Sequence, residues 1–232
     1  MGPVQPGLVL ENASFRYGTI WVLLETSLRV SPGETLILTG ENGVGKSTLL
    51  YLLGGLLPAT TGRVLLDGQA PSVSRPSDLV RHGVRRGFVF QHGGLFANLT
   101  ALENVLLALR YHADVLGLDE AGVAQRGREV MRELRVSQHD FHTLPAYLSV
   151  GVRQRVGLAR ALAINPNFVF LDDPDQGLDE GTRQLVLDLL VRLRDERRIT
   201  LVLTTTDPEV VARLGVRVLE LNQGRLGTPQ VA

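Results

Sequence analysis

Apolar positions recur along this chain at two spacings, and the places where one gives way to the other divide it into elements. Residues 8–15 and 23–30 carry a strand-like pattern, separated by a turn at Tyr17-Gly18. Ser31-Pro32-Gly33 marks a second turn, and the apolar run 35–39 reads as a buried strand. A helix is predicted from about 46 to 57, broken at Pro58. Residues 62–66 form a short strand ending at Asp67-Gly68, a hairpin-type turn. The stretch 71–86 is basic and poorly periodic, and 87–90 is an apolar strand that ends at Gln91. The pattern then turns helical, with 101–110, about 120–134 and 152–164 each carrying apolar residues at three- and four-residue spacing. Strands at 168–171, 199–203 and 216–221 alternate with helices at 181–195 and 209–214, the last strand closing the chain. Strands at both ends of a helical block predict an α/β fold with a parallel core sheet and a helical insertion. No internal repeat, low-complexity linker or appended C-terminal domain is expected.

The segment Gly40-Glu41-Asn42-Gly43-Val44-Gly45-Lys46-Ser47 joins a strand to a helix, which is the context a phosphate-binding P-loop needs. Glycines let the backbone curl so that its N–H groups point at phosphate oxygens, and the positive end of the following helix adds to that field. Lys46 is expected to reach the β- and γ-phosphates. Ser47 offers a hydroxyl to Mg²⁺, while Thr48, also counted among the nucleotide-binding residues, is one position out of register for the metal. A glycine-rich turn between two core elements is the plainer reading. Against it, Lys46 is the only lysine, every other residue among the 24 Lys+Arg being arginine, and a guanidinium does not replace a compact ammonium in a P-loop.

With 232 residues the chain is long enough for one large α/β domain or two small ones. Its 24 acidic and 24 basic residues cancel, so there is no electrostatic case for nucleic acid as the main partner. The absence of cysteine excludes disulfides and thiolate metal sites. No basic region followed by an apolar core opens the sequence, so a leader peptide is not expected. The longest uncharged run, 47–62, contains Gly54-Gly55 and Pro58 and falls short of the ~20 apolar residues of a spanning helix. A membrane role would therefore go through a partner.

A second anchor is Phe168-Val169-Phe170-Leu171-Asp172, a buried strand with an aspartate at its C-terminal end, where ligands of α/β sheets bind. Asp172 is placed to hold Mg²⁺ through water. An aspartate capping a turn before Pro174 is the plainer reading.

These motifs, in this order over nearly the whole chain, resemble the nucleotide-binding subunit of an ABC transporter. The resemblance implies an α/β P-loop NTPase of ABC type over 1–232, with a parallel core sheet and antiparallel β subdomain from 1–90 and 165–232 and a helical signature subdomain over about 91–164. Tyr17 matches the aromatic that stacks on adenine, with a half-buried sheet tyrosine as the plainer reading. Gln91 matches the glutamine that touches Mg²⁺ and the attacking water and links the site to the membrane partner. Leu148-Ser149-Val150-Gly151-Val152 resembles the LSGGQ signature, and Gly177-Leu178-Asp179 resembles the D-loop. A serine and glycine at a helix N-terminus make a second anion site, which in one chain points away from its own P-loop. Two subunits head to tail would then sandwich ATP between each P-loop and the opposite Ser149 and Gly151. Ser149 reads equally as an ordinary N-cap, a role that uses the same N–H groups.

The implied partners are an integral-membrane permease, which would hold the chain at the cytoplasmic face of the membrane, and a second ATPase chain. A homodimer is preferred, because nothing in the sequence requires an unlike ATPase; a heterodimer powered at the partner's site is the alternative.

Departures from the pattern fall on catalysis. Asp173 stands where the family has a catalytic glutamate, Thr206 where it has a histidine ahead of Asp207, and Val150 and Val152 replace a glycine and the glutamine of the signature. Asp173 withdraws its carboxylate by one methylene, roughly 1.5 Å. General-base help is worth ~10²- to 10⁴-fold and a ~1 Å misplacement costs ~10²-fold. Thr206 offers a hydroxyl but neither the reach nor the charge of an imidazole. Slow ATP hydrolysis is expected.

The segment Phe88 to Phe96, continuing through Leu99 to Val105, is similar to the Q-loop region of ATPases serving MCE-type (Mla-class) phospholipid transporters, as is the stretch Leu109 to His112, and so implies a lipid cargo and an MCE-type lipid-binding subunit in the same complex. Amino-acid importers and division-associated ABC ATPases share much of this pattern. A nearly inactive regulatory or scaffolding subunit is a second expectation, and a soluble P-loop kinase or DNA-repair ATPase a third, disfavoured by Ser149 and the neutral charge. His92 and His112 read as surface residues, since no second metal ligand stands at helical spacing.

Overall fold

Four apolar residues in a row form the strand Phe168–Leu171, and they serve two cores at once. Val169 and Leu171 join one apolar cluster with Ile37, Leu201 and Leu203, whereas Phe168 and Phe170 join another with Leu36, Leu38 and Val202. Side chains alternate across a sheet covered on both faces, which is why its strands read as continuous apolar runs. A computed structural model describes residues 7–75, 77–197 and 199–229.

The elements run β1 (Leu8–Tyr17), β2 (Ile20–Val30), β3 (Thr35–Thr39), α1 (Lys46–Leu53), β4 (Thr61–Leu66), α2 (Ser77–Arg81), β5 (Arg86–Val89), α3 (Ala101–Tyr111), α4 (Ala113–Leu116), α5 (Glu120–Glu133), α6 (Val150–Ala163), β6 (Phe168–Leu171), α7 (Glu180–Arg197), β7 (Thr200–Thr204), α8 (Pro208–Leu214), β8 (Arg217–Asn222) and β9 (Arg225–Gly227). The larger sheet has the order β5-β6-β7-β3-β8-β9; β5 to β8 are parallel and β9 is antiparallel. A separate antiparallel sheet, β2-β1-β4, covers the face that carries Phe170 and Leu38. The opposite face is covered by α7 and by the α3, α5 and α6 block, whose Val105, Met131 and Leu158 share one cluster with Leu171 and Leu203.

Several boundaries differ from the sequence pattern, each for a local reason. Helix α1 stops at Leu53 rather than near 57, because Gly55, just past the Gly54 cap, turns to a left-handed φ of 71°. Helix α6 starts at Val150, two residues before its apolar period, because Ser149 caps it. Short helices α2 and α4 interrupt stretches without clear period, and β9 follows the strand expected to be last. The expectation of no leader peptide falls partly outside the described residues. Among the described residues, no helix is long and apolar enough to cross a membrane.

Candidate functional site

The strand order decides which loops meet. β7 lies between β6 and β3, so the residues after β6, the end of β7 and the loop after β3 converge at the C-terminal edge of the sheet, with the loop after β5 alongside.

The glycine loop after β3 curls tightly into α1. Gly40 and Gly45 adopt φ of 138° and 110°, and side chains there would run into the Leu221 carbonyl and the Val22 side chain. Lys46 is only 6% exposed, and its ammonium donates to the carbonyls of Gly40 (2.9 Å) and Glu41 (3.0 Å). Two of its three protons hold the loop closed and the third remains for a ligand. Glu41, Asn42 and Gly43 are exposed, while Val44 and Thr48 are half-buried. No side-chain acceptor caps α1, so its first N–H groups face the loop.

Asp172 is the most heavily bonded acid of the site and is 2% exposed. Its Oδ1 accepts the hydroxyls of Ser47 (2.8 Å) and Thr204 (2.9 Å), and its Oδ2 accepts the Tyr51 hydroxyl at 2.6 Å. Burial, then this hydrogen bond to Asp172, push the Tyr51 hydroxyl well above its ordinary pKa. Ser47 and Tyr51 stand four residues apart on α1, one turn of one helix face, so both reach the same carboxylate.

The next shell is looser. Asp173 has φ 44°, a left-handed conformation costing a non-glycine residue roughly 1–2 kcal/mol. Its N–H donates to Thr204 Oγ1 (2.9 Å), and its Oδ2 accepts from Gln91 Nε2 at 3.3 Å. Gln91 itself is exposed. The neighbouring Asp175 carboxyl lies above the ordinary range, chiefly through burial, with Asp207 and Asp173 adding to the shift. Thr205 donates its hydroxyl to Asp175 at 3.3 Å. Thr206 is exposed and has no side-chain hydrogen bond among the described residues, so the structure does not bring it to Asp173.

The loop after Gln91 is fixed to α6 through backbone. A Cβ on Gly157 would stand 2.7 Å from the Gly93 carbonyl, and Arg160 donates to the carbonyls of Gly94 (2.8 Å) and Gly93 (3.2 Å). At the start of α6, Ser149 accepts the Val152 N–H (3.2 Å), and Gly151 lies where a Cβ would meet Thr182 at 2.8 Å. Asp179 plays the same part for α7, taking the N–H and hydroxyl of Thr182, which draw its carboxyl below the ordinary range. Thr182 thus brings Ser149, Gly151 and Asp179 into one neighbourhood. Tyr17 is 52% exposed at the end of β1, edge-on to Phe15 at 4.9 Å. His92 is exposed, but His112 is not the surface residue expected: it is half-buried beside Arg86, and burial first, then Arg85 and Arg86, lower its pKa.

Tyr51 and Thr204 were not expected at the site. Tyr51 reads as one more apolar residue of its helix and Thr204 as a β-branched strand residue. The usable signals were the four-residue spacing from Ser47 and the position of Thr204 at the end of the strand beside β6.

The sequence model of the ABC transporter family matches residues 23–176, about two thirds of the chain. The chain belongs to the ABC transporter family. The ATP-binding protein CysA 1 of a sulfate/thiosulfate importer in Chromobacterium violaceum is 38% identical over 95% of this chain and 61% of that protein. The glutamate/aspartate import ATP-binding protein GltL of Escherichia coli K12 is 33% identical over 94% of this chain and 88% of its own length. Among solved structures, the dimeric ATP-binding cassette MJ0796 bound to ADP and Pi superposes with a TM-score of 0.84 at 32% identity, covering 94% of this chain and 96% of that one. The ABC chain described here spans about 61% of the length of its sulfate-importer relative. Its fold is the ABC-type P-loop fold, a parallel core with a separate antiparallel sheet and a helical block.

Oxygen chemistry at the ABC site suits Mg²⁺. A hydroxyl and a carboxylate 2.8 Å apart, Ser47 and Asp172, are hard donors to which nucleotide phosphates would add the rest. Among the described residues there is no cluster of three or more His, Cys, Asp or Glu that could hold a metal.

Proposed function

We propose that this chain is the nucleotide-binding subunit of an ABC transporter, which binds MgATP and hydrolyses it slowly to drive a membrane permease. The observation that carries the reading is the closed glycine loop around Lys46 with Ser47 bonded to Asp172. Backbone N–H groups of residues 41–47 and the Lys46 ammonium would hold the phosphates, Ser47 and Asp172 the Mg²⁺, and Tyr17 the adenine. Bound there, Mg²⁺ would neutralise charge on the β- and γ-phosphates. Gln91 and Asp173 would orient water; as its oxygen bonds the γ-phosphorus and the bond to ADP breaks, Asp173 takes the proton. Thr206 is exposed and lends no help, which supports a low rate.

Ser149, Gly151 and Asp179 are proposed to complete the nucleotide site of a second, head-to-tail copy, with Val150 and Val152 weakening that contribution. Thr182 brings them into one neighbourhood, and the related cassette carrying ADP and Pi is dimeric. A homodimer is favoured over a heterodimer. An apolar groove of about 460 Å³, walled by Phe88, Phe96, Leu107 and Tyr111 next to the Gln91 loop, supports a permease helix as the membrane-side partner. The chain would then lie at the cytoplasmic face of the membrane, held there by that permease.

The lipid reading rests on the 88–105 segment and the 109–112 stretch. Much of that pattern has structural work: Thr100 and Glu103 form a capping box for α3, and Asn104, fully buried, bonds the backbone of Phe96, Leu99 and Thr100. The relatives above are named for sulfate, thiosulfate, glutamate and aspartate import. Affinity purification from detergent-solubilised membranes, with every chain identified and ATPase chains counted by native mass, tests the partners. A polytopic partner and two copies of this chain are expected. An MCE-type subunit in the complex would support the lipid cargo and a solute-importer permease would remove it; no membrane partner, or an unlike ATPase in equal amount, would overturn the corresponding part.

A second reading, a nucleotide-gated regulatory subunit with almost no turnover, is favoured by the exposure of Thr206 and by Val150 at the start of α6. Turnover in the assembled complex separates the two.

A further inference from the structure

Thr204 ends β7, the strand between the one that leads into the glycine loop and the one that leads into Asp172. In the parallel register Leu38 pairs with Thr204, and Leu171 with Leu203, so Thr204 lies level with Asp172. It is fully buried, and both hydrogen-bonding capacities of its hydroxyl are used on the neighbouring acids. The proton goes to Asp172 Oδ1 at 2.9 Å, and a lone pair accepts the Asp173 N–H at 2.9 Å. The 3.4 Å approach to Asp173 Oδ1 is secondary, because a hydroxyl has only one proton.

Asp173 needs such a partner. Its left-handed backbone, φ 44°, persists only when the surroundings fix it, and that conformation accompanies a carboxylate within 3.3 Å of Gln91. Thr206, two residues after Thr204, is exposed and among the described residues makes no side-chain hydrogen bond to the acid pair. Positioning in this chain therefore comes from inside the sheet.

We propose that Thr204 is a positioning residue for hydrolysis, whose buried hydroxyl fixes the Asp173 backbone so that its shortened carboxylate is presented beside Gln91 and tied to Asp172. The proposal rests on the ATP-hydrolysis reading above. Thr204 acts through Asp173 and touches no phosphate itself.

The test compares Thr204→Val, which keeps the shape and removes the hydroxyl, with Thr204→Ser, which keeps the hydroxyl, in the whole chain. The valine variant is expected to lose roughly 10- to 100-fold in kcat, the cost of a misplaced group, while its MgATP affinity by calorimetry stays within about threefold. The serine variant should recover most of the loss. Amide exchange at Asp173, read by NMR without nucleotide, should quicken at least about tenfold in the valine variant and not in the serine variant. This readout needs no activity, and a melting curve shows whether each variant is folded. Unchanged kcat and Asp173 exchange in Thr204→Val would overturn this proposal alone. A wild type that binds MgATP but releases no phosphate would overturn the hydrolysis reading together with it.

Discussion

The two sides of the site are built to different standards. On the phosphate side, Lys46 and Asp172 are buried and multiply bonded, at 2.6–3.0 Å. On the hydrolytic side, Gln91 is exposed, it reaches Asp173 at 3.3 Å, and Thr206 faces outward. Charge-assisted bonds in a buried setting keep their geometry without a ligand, whereas exposed side chains with one weak bond do not. The difference teaches that nucleotide capture is written into one chain. Hydrolysis, as proposed above, would depend on groups that this chain holds loosely or lacks.

The strongest way to break the comparison is Lys46→Ala. It removes the ammonium and its bonds to the Gly40 and Glu41 carbonyls, so MgATP affinity should fall about 100-fold or more by calorimetry. A variant that binds like wild type would remove the phosphate side from the account.

The comparison sharpens on the other side with Asp173→Glu and Thr206→His. The longer carboxylate alone should raise phosphate release only in part, because Thr206 remains deficient. Groups acting as one unit are non-additive, so the double variant should exceed the product of the singles, by roughly tenfold over wild type in steady-state assays. Affinity should hardly move, since among the described residues neither side chain is hydrogen-bonded to the Lys46 loop.

The smallest effect is a stability test of the loop between the two sides. Burial places the Asp175 pKa in the folded chain above its unfolded value. The folded state then keeps a proton that the unfolded state releases. Stability therefore falls as pH rises from the ordinary carboxylate range through the raised value. Asp175→Asn should melt a few degrees higher than wild type near neutral pH, and the gap should close once pH drops below the ordinary carboxylate range. A gap that widens toward acid would reverse the assignment.

Much of this architecture was legible in the sequence because its strands are buried on both faces. β3 and β6 were placed to the residue by uninterrupted apolar runs, and the loops after them by glycine and aspartate. Motif and context pointed to Lys46, Ser47 and Asp172, and the fold bonds Ser47 to Asp172 next to the buried Lys46. What escaped lacked a local signal: β9 has three residues and is defined only by pairing with β8. Tyr51 and Thr204 look like core residues in one dimension, and become polar partners of Asp172 only when helix face and strand order bring three segments together. Thr206, by contrast, was expected at the site from motif position; it is exposed, and among the described residues its side chain makes no hydrogen bond to Asp173.

The most direct test of the central claim measures nucleotide affinity and phosphate release on the same wild-type sample at saturating MgATP. Saturable binding together with turnover well below about 1 s⁻¹, the lower end of ordinary enzyme rates, is expected. No detectable binding, or release at an ordinary rate with Asp173 and Thr206 unaltered, would contradict it.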